Sequence, residues 1–256
     1  MSIPSISLAG KVAIVTGSSR GIGKGIALMF AEAGADVVVC SRNTDGRLEP
    51  AAEEIRKLGR RSLAIKTDVT RSADVEKLVR KTKDELGAVD ILVNNAGTII
   101  RATVAEHSEV DWDGVLDTNL KAVFLCSRAA GKVMMEQKRG NIINIASYRG
   151  IMASPGRASY SVSKAGVIML TSVLAYEFAS YNIRVNAIAP GWVKTELTEP
   201  LWGDPKRSKT ITDTISMARW STVEEIAKVA LFLASEAAGY VTGHTLLADG
   251  GIVPSF

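Results

Sequence analysis

Seven short apolar runs, separated by longer stretches with helical spacing, constrain the fold of this chain more than any other feature. The runs are nearly continuous and rich in β-branched residues, and they cover residues 12–15, 37–39, 63–65, 91–93, 142–145, 185–188 and 245–248. Strands that are buried on both faces have this pattern, because helices cover each side of their sheet. The runs therefore predict a parallel sheet between two layers of helices.

The stretches between the runs carry apolar residues at the spacing of helices. After the first run, one apolar stripe is formed by Ile22, Ile26, Met29 and Phe30. Ser72 is placed to cap a second helix, and a long helical stretch follows Ser108 and ends near Gly140. We expect a single α/β domain over residues 1–256, with a doubly wound Rossmann-type parallel sheet of about seven strands. In such sheets the ligand lies beyond the carboxyl ends of the strands.

Charge and composition argue against several other classes of protein. The net charge of +4 is scattered rather than concentrated in a basic stripe, so we expect no nucleic-acid partner. The first residues do not resemble a signal peptide, and no apolar run approaches ~18 residues, so we expect a cytoplasmic protein without a membrane span.

The cysteines and histidines predict no disulfide and no metal site. Cys40 and Cys126 lie in apolar stretches, which favours buried thiols. His107 and His244 are too few and too far apart for a metal site.

A glycine-rich turn follows the first run and opens the first helix. Its spacing, G-x-x-x-G-x-G, places glycines where a backbone must turn tightly near a bound group, and the helix N-terminus offers free N–H donors to a pyrophosphate. Glycines can also serve as turn formers alone, but the position after a first strand favours dinucleotide binding. The predicted contact residues are Gly17, Ser19, Arg20, Gly21, Ile22 and Gly23.

The end of the second run indicates which dinucleotide binds. NAD sites usually place an acid there for the ribose 2′-hydroxyl, whereas this chain has Ser41, Arg42 and Asn43. The planar guanidinium of Arg42 suits the 2′-phosphate of NADP, and Arg20 can add a second cation. Exposed arginines without a ligand are the alternative. We predict NADP(H) in preference to NAD(H).

Three residues at and beyond the end of the fifth run predict proton-transfer chemistry. Ser147 closes that run, and Tyr160 and Lys164 follow four residues apart, on one face of a helix. A free tyrosine has a pKa of about 10, and a nearby cation lowers it, so the pair can exchange a proton with an alcohol or ketone. The Ser147 hydroxyl can hold the reacting oxygen. Tyrosine and lysine at this spacing are otherwise common surface neighbours.

With these motifs in order, the chain resembles the short-chain dehydrogenase/reductase family over nearly its whole length. The resemblance rests on the glycine turn and on Asp68-Val69, Asn94-Asn95-Ala96-Gly97, Asn119, Ser147, Tyr160, Lys164 and Pro190-Gly191. It implies a catalytic tetrad of Asn119, Ser147, Tyr160 and Lys164, with Asn119 in a helix distortion and Lys164 bonded to the nicotinamide ribose.

The resemblance also implies further cofactor contacts and a homotetramer. The implied contacts, along the cofactor from adenine to nicotinamide, are Asp68, Val69, Asn95, Ala96, Gly97, Pro190, Gly191, Val193 and Thr195. Asn94 opens the same motif as Asn95, Ala96 and Gly97, but it can instead serve only to stabilise the central strand.

The substrate is less constrained than the chemistry. Arg101 follows the fourth run closely enough to pair with a substrate carboxylate beside Ser147 and Tyr160, although it can equally be an exposed loop cation. The polar residues 195–216 are expected to form a substrate lid. The chain resembles the gluconate 5-dehydrogenase and 2-deoxygluconate 3-dehydrogenase group, which implies a small sugar acid or polyol as substrate.

Two alternatives remain open from the sequence. A 3-oxoacyl-[acyl carrier protein] reductase shares every catalytic residue, and an acyl-carrier partner could dock on Arg128, Lys132, Lys138 and Arg139. A non-catalytic NADP(H) sensor is more remote, because such a protein is expected to lack part of the tetrad.

Overall fold

Each of the seven apolar runs forms a strand in the computed structural model, which describes residues 6–42 and 45–253. The strands are β1 (Val12–Thr16), β2 (Asp36–Ser41), β3 (Ser62–Lys66), β4 (Ile91–Asn94), β5 (Gly140–Ile145), β6 (Ile183–Pro190) and β7 (Thr245–Ala248). All six neighbouring pairs are parallel, in the order β3-β2-β1-β4-β5-β6-β7. The predicted doubly wound fold is confirmed, and the strand order reverses between β1 and β4, where such sheets bind ligands.

Helices connect the strands and cover both faces of the sheet. They are α1 (Gly21–Glu32), α2 (Leu48–Lys57), α3 (Ser72–Leu86), α4 (Glu109–Leu116), α5 (Ala122–Gln137), α6 (Ala158–Phe178), α7 (Glu199–Trp202), α8 (Pro205–Thr212) and α9 (Val223–Ala234). Short 3₁₀ turns cover Tyr148–Gly150, Ala179–Tyr181, Glu196–Thr198 and Glu236–Ala238.

Alternate residues of β1 and β2 enter opposite apolar layers. Ala13 and Val15 pack with α1, α2 and α9, whereas Val12 and Ile14 pack with α3, α5 and α6. All four side chains are at most 3% exposed. Burial on both faces explains why the runs are continuous rather than alternating.

One helix boundary differs from the sequence pattern, and one long helical stretch is interrupted. Ser72 is the first residue of α3 rather than its cap; Arg71 holds the cap position, and the Ser72 hydroxyl donates to Glu76 (3.0 Å). The long stretch after Ser108 does form, and Ser108 caps it by accepting from the Asp111 N–H (3.1 Å). Between α4 and α5, however, the helix widens into a π-helical turn over Asp117–Lys121. This turn is the helix distortion that the family resemblance implied.

Candidate active site

The glycine turn lies at the carboxyl end of β1 and requires its glycines. Gly17 has φ +64°, and a Cβ there would lie 2.9 Å from Ala96 Cα. A Cβ on Gly23 would lie 2.3 Å from Asn95 Nδ2 and 2.5 Å from the Gly17 carbonyl oxygen. The turn and the segment after β4 therefore pack backbone to backbone, and they leave the N-terminus of α1 open to the cleft.

Asn95 holds these two segments together. Its side-chain amide donates to the carbonyl oxygens of Thr16 (2.9 Å) and Gly17 (3.1 Å), and its backbone N–H donates to Thr16 Oγ1 (2.9 Å). Asn94 points into the core, where its amide donates to Ser127 Oγ (3.0 Å) and Asn144 Oδ1 (2.8 Å). Asn94 thus stabilises the central strands, as the structural alternative predicted.

One cleft of about 440 Å³ runs across the carboxyl edge of the sheet and brings most of the predicted residues together. The predicted residues that line it are Gly17, Ser19, Arg20, Gly21, Ile22, Ser41, Arg42, Asp68, Val69, Asn95, Ala96, Gly97, Ser147, Tyr160, Lys164, Pro190, Gly191, Val193 and Thr195. Gly23 and Asn119 lie behind its wall, Arg101 does not line it, and Asn43 lies outside the described residues. The glycine turn and the open helix N-terminus at one wall fit a dinucleotide.

Charge at the β2 end of the cleft is carried by Arg42 and Asp68. Burial, the largest single effect, disfavours the charged Asp68 carboxylate, and hydrogen bonds from the Thr70 hydroxyl and N–H oppose it. Together with the charges of Arg42 and Arg71, they hold the pKa of Asp68 below its usual range. Asp45 also lines this end, and its carboxylate lies 3.6 Å from Arg47.

The segment after Thr195 lines the cleft and is tied to the glycine turn. Glu196 forms ion pairs with Arg20 (3.4 Å) and Arg47, and these hydrogen bonds, those from Arg47 foremost, lower the pKa of Glu196. Trp202 Nε1 donates to the Thr195 carbonyl oxygen (3.0 Å). The segment predicted as a lid therefore begins with a 3₁₀ turn that ion pairs tie to Arg20 and Arg47.

Asn119 is fully buried in the π-helical turn. Its Oδ1 accepts from the Thr98 N–H (2.8 Å), and its Nδ2 donates to the Thr98 carbonyl (2.9 Å) and to Ser163 Oγ (3.1 Å). A Cβ on Gly97 would lie 3.3 Å from Asn119 Oδ1 and 3.7 Å from Lys164 Nζ. Asn119 therefore fixes the loop after β4 from behind, close to Lys164.

Lys164 is 5% exposed and reaches the cleft from α6. Its Nζ donates to the Ile145 carbonyl oxygen (2.7 Å) and lies 5.8 Å from the centroid of the Tyr160 ring. Burial lowers the pKa of Lys164 to about 8, because a charged ammonium is poorly solvated there.

Burial raises the pKa of Tyr160 rather than lowering it. The Ser147 hydroxyl and the charges of Arg157, Arg101 and Arg149 oppose the rise but do not cancel it. The expected lowering by Lys164 is therefore not seen. Its Nζ is held by a backbone carbonyl, and its own charge is disfavoured by burial. The cations that act on the Tyr160 hydroxyl are arginines.

Several residues of the cleft were missed by the sequence patterns. They are Asp45, Thr67, Thr70, Thr98, Thr118, Ile145 and Ala146, whereas Glu196, Leu197 and Thr198 belong to the segment predicted as a lid. Most immediately follow or flank residues that a motif did mark, so extending each motif past its strand end would have found them. Arg149 and Arg157 lie in a segment without a motif, and only the fold brings them near Tyr160.

The cysteines are buried, as predicted, and burial raises the pKa of Cys40 to about 12. Within residues 6–42 and 45–253, no group of three or more His, Cys, Asp or Glu side chains is placed to hold a metal ion. The helical stretch Ala158–Tyr181 is long and apolar enough to cross a membrane by length and composition. That is weak evidence, because core helices pass the same test, and this stretch carries Lys164 and packs on β6.

Comparison with known proteins identifies the family. A family model described as Enoyl-(Acyl carrier protein) reductase matches residues 17–253. The residues of the sequence motifs line one cleft. The chain belongs to the short-chain dehydrogenase/reductase family. As a member of this family, the protein is an oxidoreductase that acts on CH–OH donors, and the family binds a nicotinamide cofactor.

Relatives in this family differ in the substrate that their names state. A 3-oxoacyl-[acyl-carrier-protein] reductase from Synechocystis sp. is 43% identical and covers 96% of this chain and 98% of its own. A 2-dehydro-3-deoxy-D-gluconate 5-dehydrogenase from Escherichia coli is 42% identical and covers 98% of both chains. The crystal structure of a gluconate 5-dehydrogenase from Burkholderia cenocepacia J2315 in complex with NADP and tartrate is 36% identical, covers 99% of both chains and has a TM-score of 0.94. The overall sequence identity therefore does not distinguish between the substrates that the names of these relatives state.

Proposed function

We propose that the protein is an NADP(H)-dependent oxidoreductase that interconverts a secondary alcohol and a ketone on a sugar acid or polyol. The observation that carries this proposal is the cleft that brings the glycine turn together with Ser147, Tyr160 and Lys164. When bound, the nicotinamide cofactor supplies or accepts the hydride. The residues of this chain supply binding, orientation and the proton.

The cofactor is held along the cleft by the residues that line it. The pyrophosphate meets the free N–H groups at the start of α1, where glycines allow close approach. Arg42 binds the 2′-phosphate, which favours NADP(H) over NAD(H), and Arg20 adds positive charge once it leaves Glu196. Asn43, the residue after Arg42, is also predicted to bind the cofactor. The NADP bound by the Burkholderia relative supports this assignment.

Tyr160 exchanges the proton with the substrate oxygen. Its raised pKa keeps the hydroxyl protonated at neutral pH, the state that donates to a ketone oxygen during reduction. Ser147 holds that oxygen, Lys164 binds the nicotinamide ribose, and Asn119 fixes the adjoining loop. In oxidation Tyr160 must first lose its proton, so that direction is favoured by higher pH.

Substrate choice rests on the charge around Tyr160. Arg101 lies outside the cleft lining, but its charge reaches the Tyr160 hydroxyl, and a guanidinium there suits the carboxylate of a sugar acid. Residues 195–216 close over the substrate as a lid. A 3-oxoacyl-[acyl carrier protein] reductase is the second candidate, favoured by the identity with the Synechocystis protein.

The test is consumption of NADPH and of NADH with 5-ketogluconate and with an acetoacetyl thioester. We expect a higher kcat/KM for 5-ketogluconate with NADPH. A strong preference for the thioester would replace the first candidate with the second. Tight NADPH binding without turnover of either compound, or of a generic diketone, would favour the non-catalytic sensor.

We also infer a cytoplasmic homotetramer that acts without a nucleic-acid or membrane partner. Apolar side chains on the outer faces of α5 and α6 support the assembly, because Phe124, Met169 and Tyr176 are 43%, 67% and 91% exposed. Phe232 on α9 offers a second exposed apolar contact. Light scattering of the purified protein measures the assembly, and a monomeric mass would refute it.

A further inference from the structure

Three arginines whose charges reach the Tyr160 hydroxyl form no ion pair with an acid among the described residues. Arg101, Arg149 and Arg157 all act on that hydroxyl by charge. The ion pairs formed among the described residues involve other cations. The hydrogen bonds of Arg149 and Arg157 go to neutral oxygens, of which the nearest is Ser154 Oγ, 2.8 Å from Arg157.

These like charges disfavour one another. Arg157 is partly buried, and burial together with the charges of Arg149 and Arg101 lowers its pKa. Gathering three cations at the edge of a buried site costs free energy unless an anion joins them. The cluster is therefore arranged for a negatively charged group that arrives from outside.

Donors in the cluster also lack hydrogen bonds of standard geometry. The Arg149 guanidinium stacks on the Tyr148 ring at 4.4 Å, and Arg149 Nε and Tyr148 Oη are both buried without a hydrogen bond of standard geometry in the part of the chain that the structure describes. The Tyr148 side chain is 4% exposed, and burial raises the pKa of its hydroxyl, although the charge of Arg149, a weak hydrogen bond with Arg149 and the charge of Arg157 oppose the rise. Buried donors of this kind normally meet a partner, which a ligand can supply.

We propose that Arg149 and Arg157, together with Arg101, form a carboxylate-binding subsite beside Tyr160, with the Tyr148 hydroxyl as a further donor. This inference rests on the proposed function and deepens it: the substrate is a hydroxy or keto acid with a free carboxylate. A guanidinium binds a carboxylate through two parallel hydrogen bonds, which fixes the orientation of the acid as well as its charge. Neutral polyols and acyl thioesters lack the group that the subsite recognises.

The first test compares Arg149→Met and Arg157→Met with the wild-type protein on a sugar acid and on the corresponding neutral polyol. We expect each variant to raise KM for the acid by about ten- to a hundred-fold, the effect of losing a charged hydrogen bond, and to leave KM for the polyol within about two-fold. Arg80→Met is the matched control, because Arg80 is an exposed residue of α3, away from the cleft. NADPH affinity within about two-fold of wild type verifies that the variants fold. Equal losses for the acid and the polyol would overturn the subsite.

The second test does not depend on the sugar-acid assignment. Malonate is titrated as an inhibitor of NADPH-dependent reduction of a neutral diketone, so the subsite is measured even if no sugar acid is turned over. We expect competitive inhibition in the wild type that weakens about ten-fold or more in Arg157→Met, with Arg157→Lys between the two. Identical malonate inhibition in the wild type and both methionine variants would refute the subsite. Failure of the proposed function would instead appear as absent turnover of sugar acids by the wild type.

Discussion

The buried ammonium of Lys164 makes the stability of the protein depend on pH in a defined direction. Its pKa falls from 10.5 to about 8 on burial, which corresponds to a cost of about 3 kcal/mol in the free energy of unfolding at pH 7. Above pH 8 the folded protein loses this proton while the unfolded chain still holds it, so stability rises with pH up to about 10.5.

Replacing Lys164 with Met removes this dependence. The hydrogen bond to the Ile145 carbonyl is lost at every pH, so the change with pH isolates the charge. We expect the free energy of unfolding of the wild type, relative to Lys164→Met, to rise by about 2 kcal/mol between pH 7 and pH 9.5.

Urea denaturation followed by circular dichroism at both pH values measures this difference, and Lys132→Met on the exposed face of α5 is the matched control. A difference that stays constant with pH, or that falls as pH rises, would refute the assignment of a buried, destabilised charge to Lys164.

Three further predictions concern the cofactor cleft and its supporting loop. Arg42→Asp is expected to raise KM for NADPH far more than KM for NADH, and equal changes would remove Arg42 from the 2′-phosphate site. Gly23→Ala is expected to weaken NADPH binding about ten-fold or more, because a Cβ there meets Asn95 and Gly17, whereas Gly114→Ala, with open space around its Cβ, leaves binding unchanged. Asn119→Ala is expected to cost about 2–4 kcal/mol in the free energy of unfolding by urea, because it leaves the Thr98 backbone groups without their partner; a loss below 1 kcal/mol contradicts that role.

The fold could be predicted from the sequence because strands that are buried on both faces are continuously apolar. Every apolar run lies within a strand, and the glycine turn follows β1 as the pattern predicted. The boundaries were less accurate, since Arg71 rather than Ser72 precedes α3. A cap depends on local backbone geometry, which composition does not fix.

The site was predictable where its residues belong to motifs, as Ser147 just after β5 and Tyr160 and Lys164 on α6 do. The effect of Lys164 on Tyr160 was not, because it depends on where the ammonium points, and in the fold it meets the Ile145 carbonyl. Arg149 and Arg157 could not be assigned either, since their proximity to Tyr160 arises from tertiary structure alone.

Proton exchange by Tyr160 with NADP(H) bound beside it is the central claim, and one variant tests it most directly. Tyr160→Phe removes the hydroxyl and keeps the ring that lines the cleft. Turnover of the sugar acid and NADPH binding by fluorescence titration are measured on the same preparation. We expect turnover to fall by at least about a hundred-fold, the contribution of a positioned general acid, while the Kd for NADPH stays within about three-fold. Turnover close to that of the wild type would contradict the account.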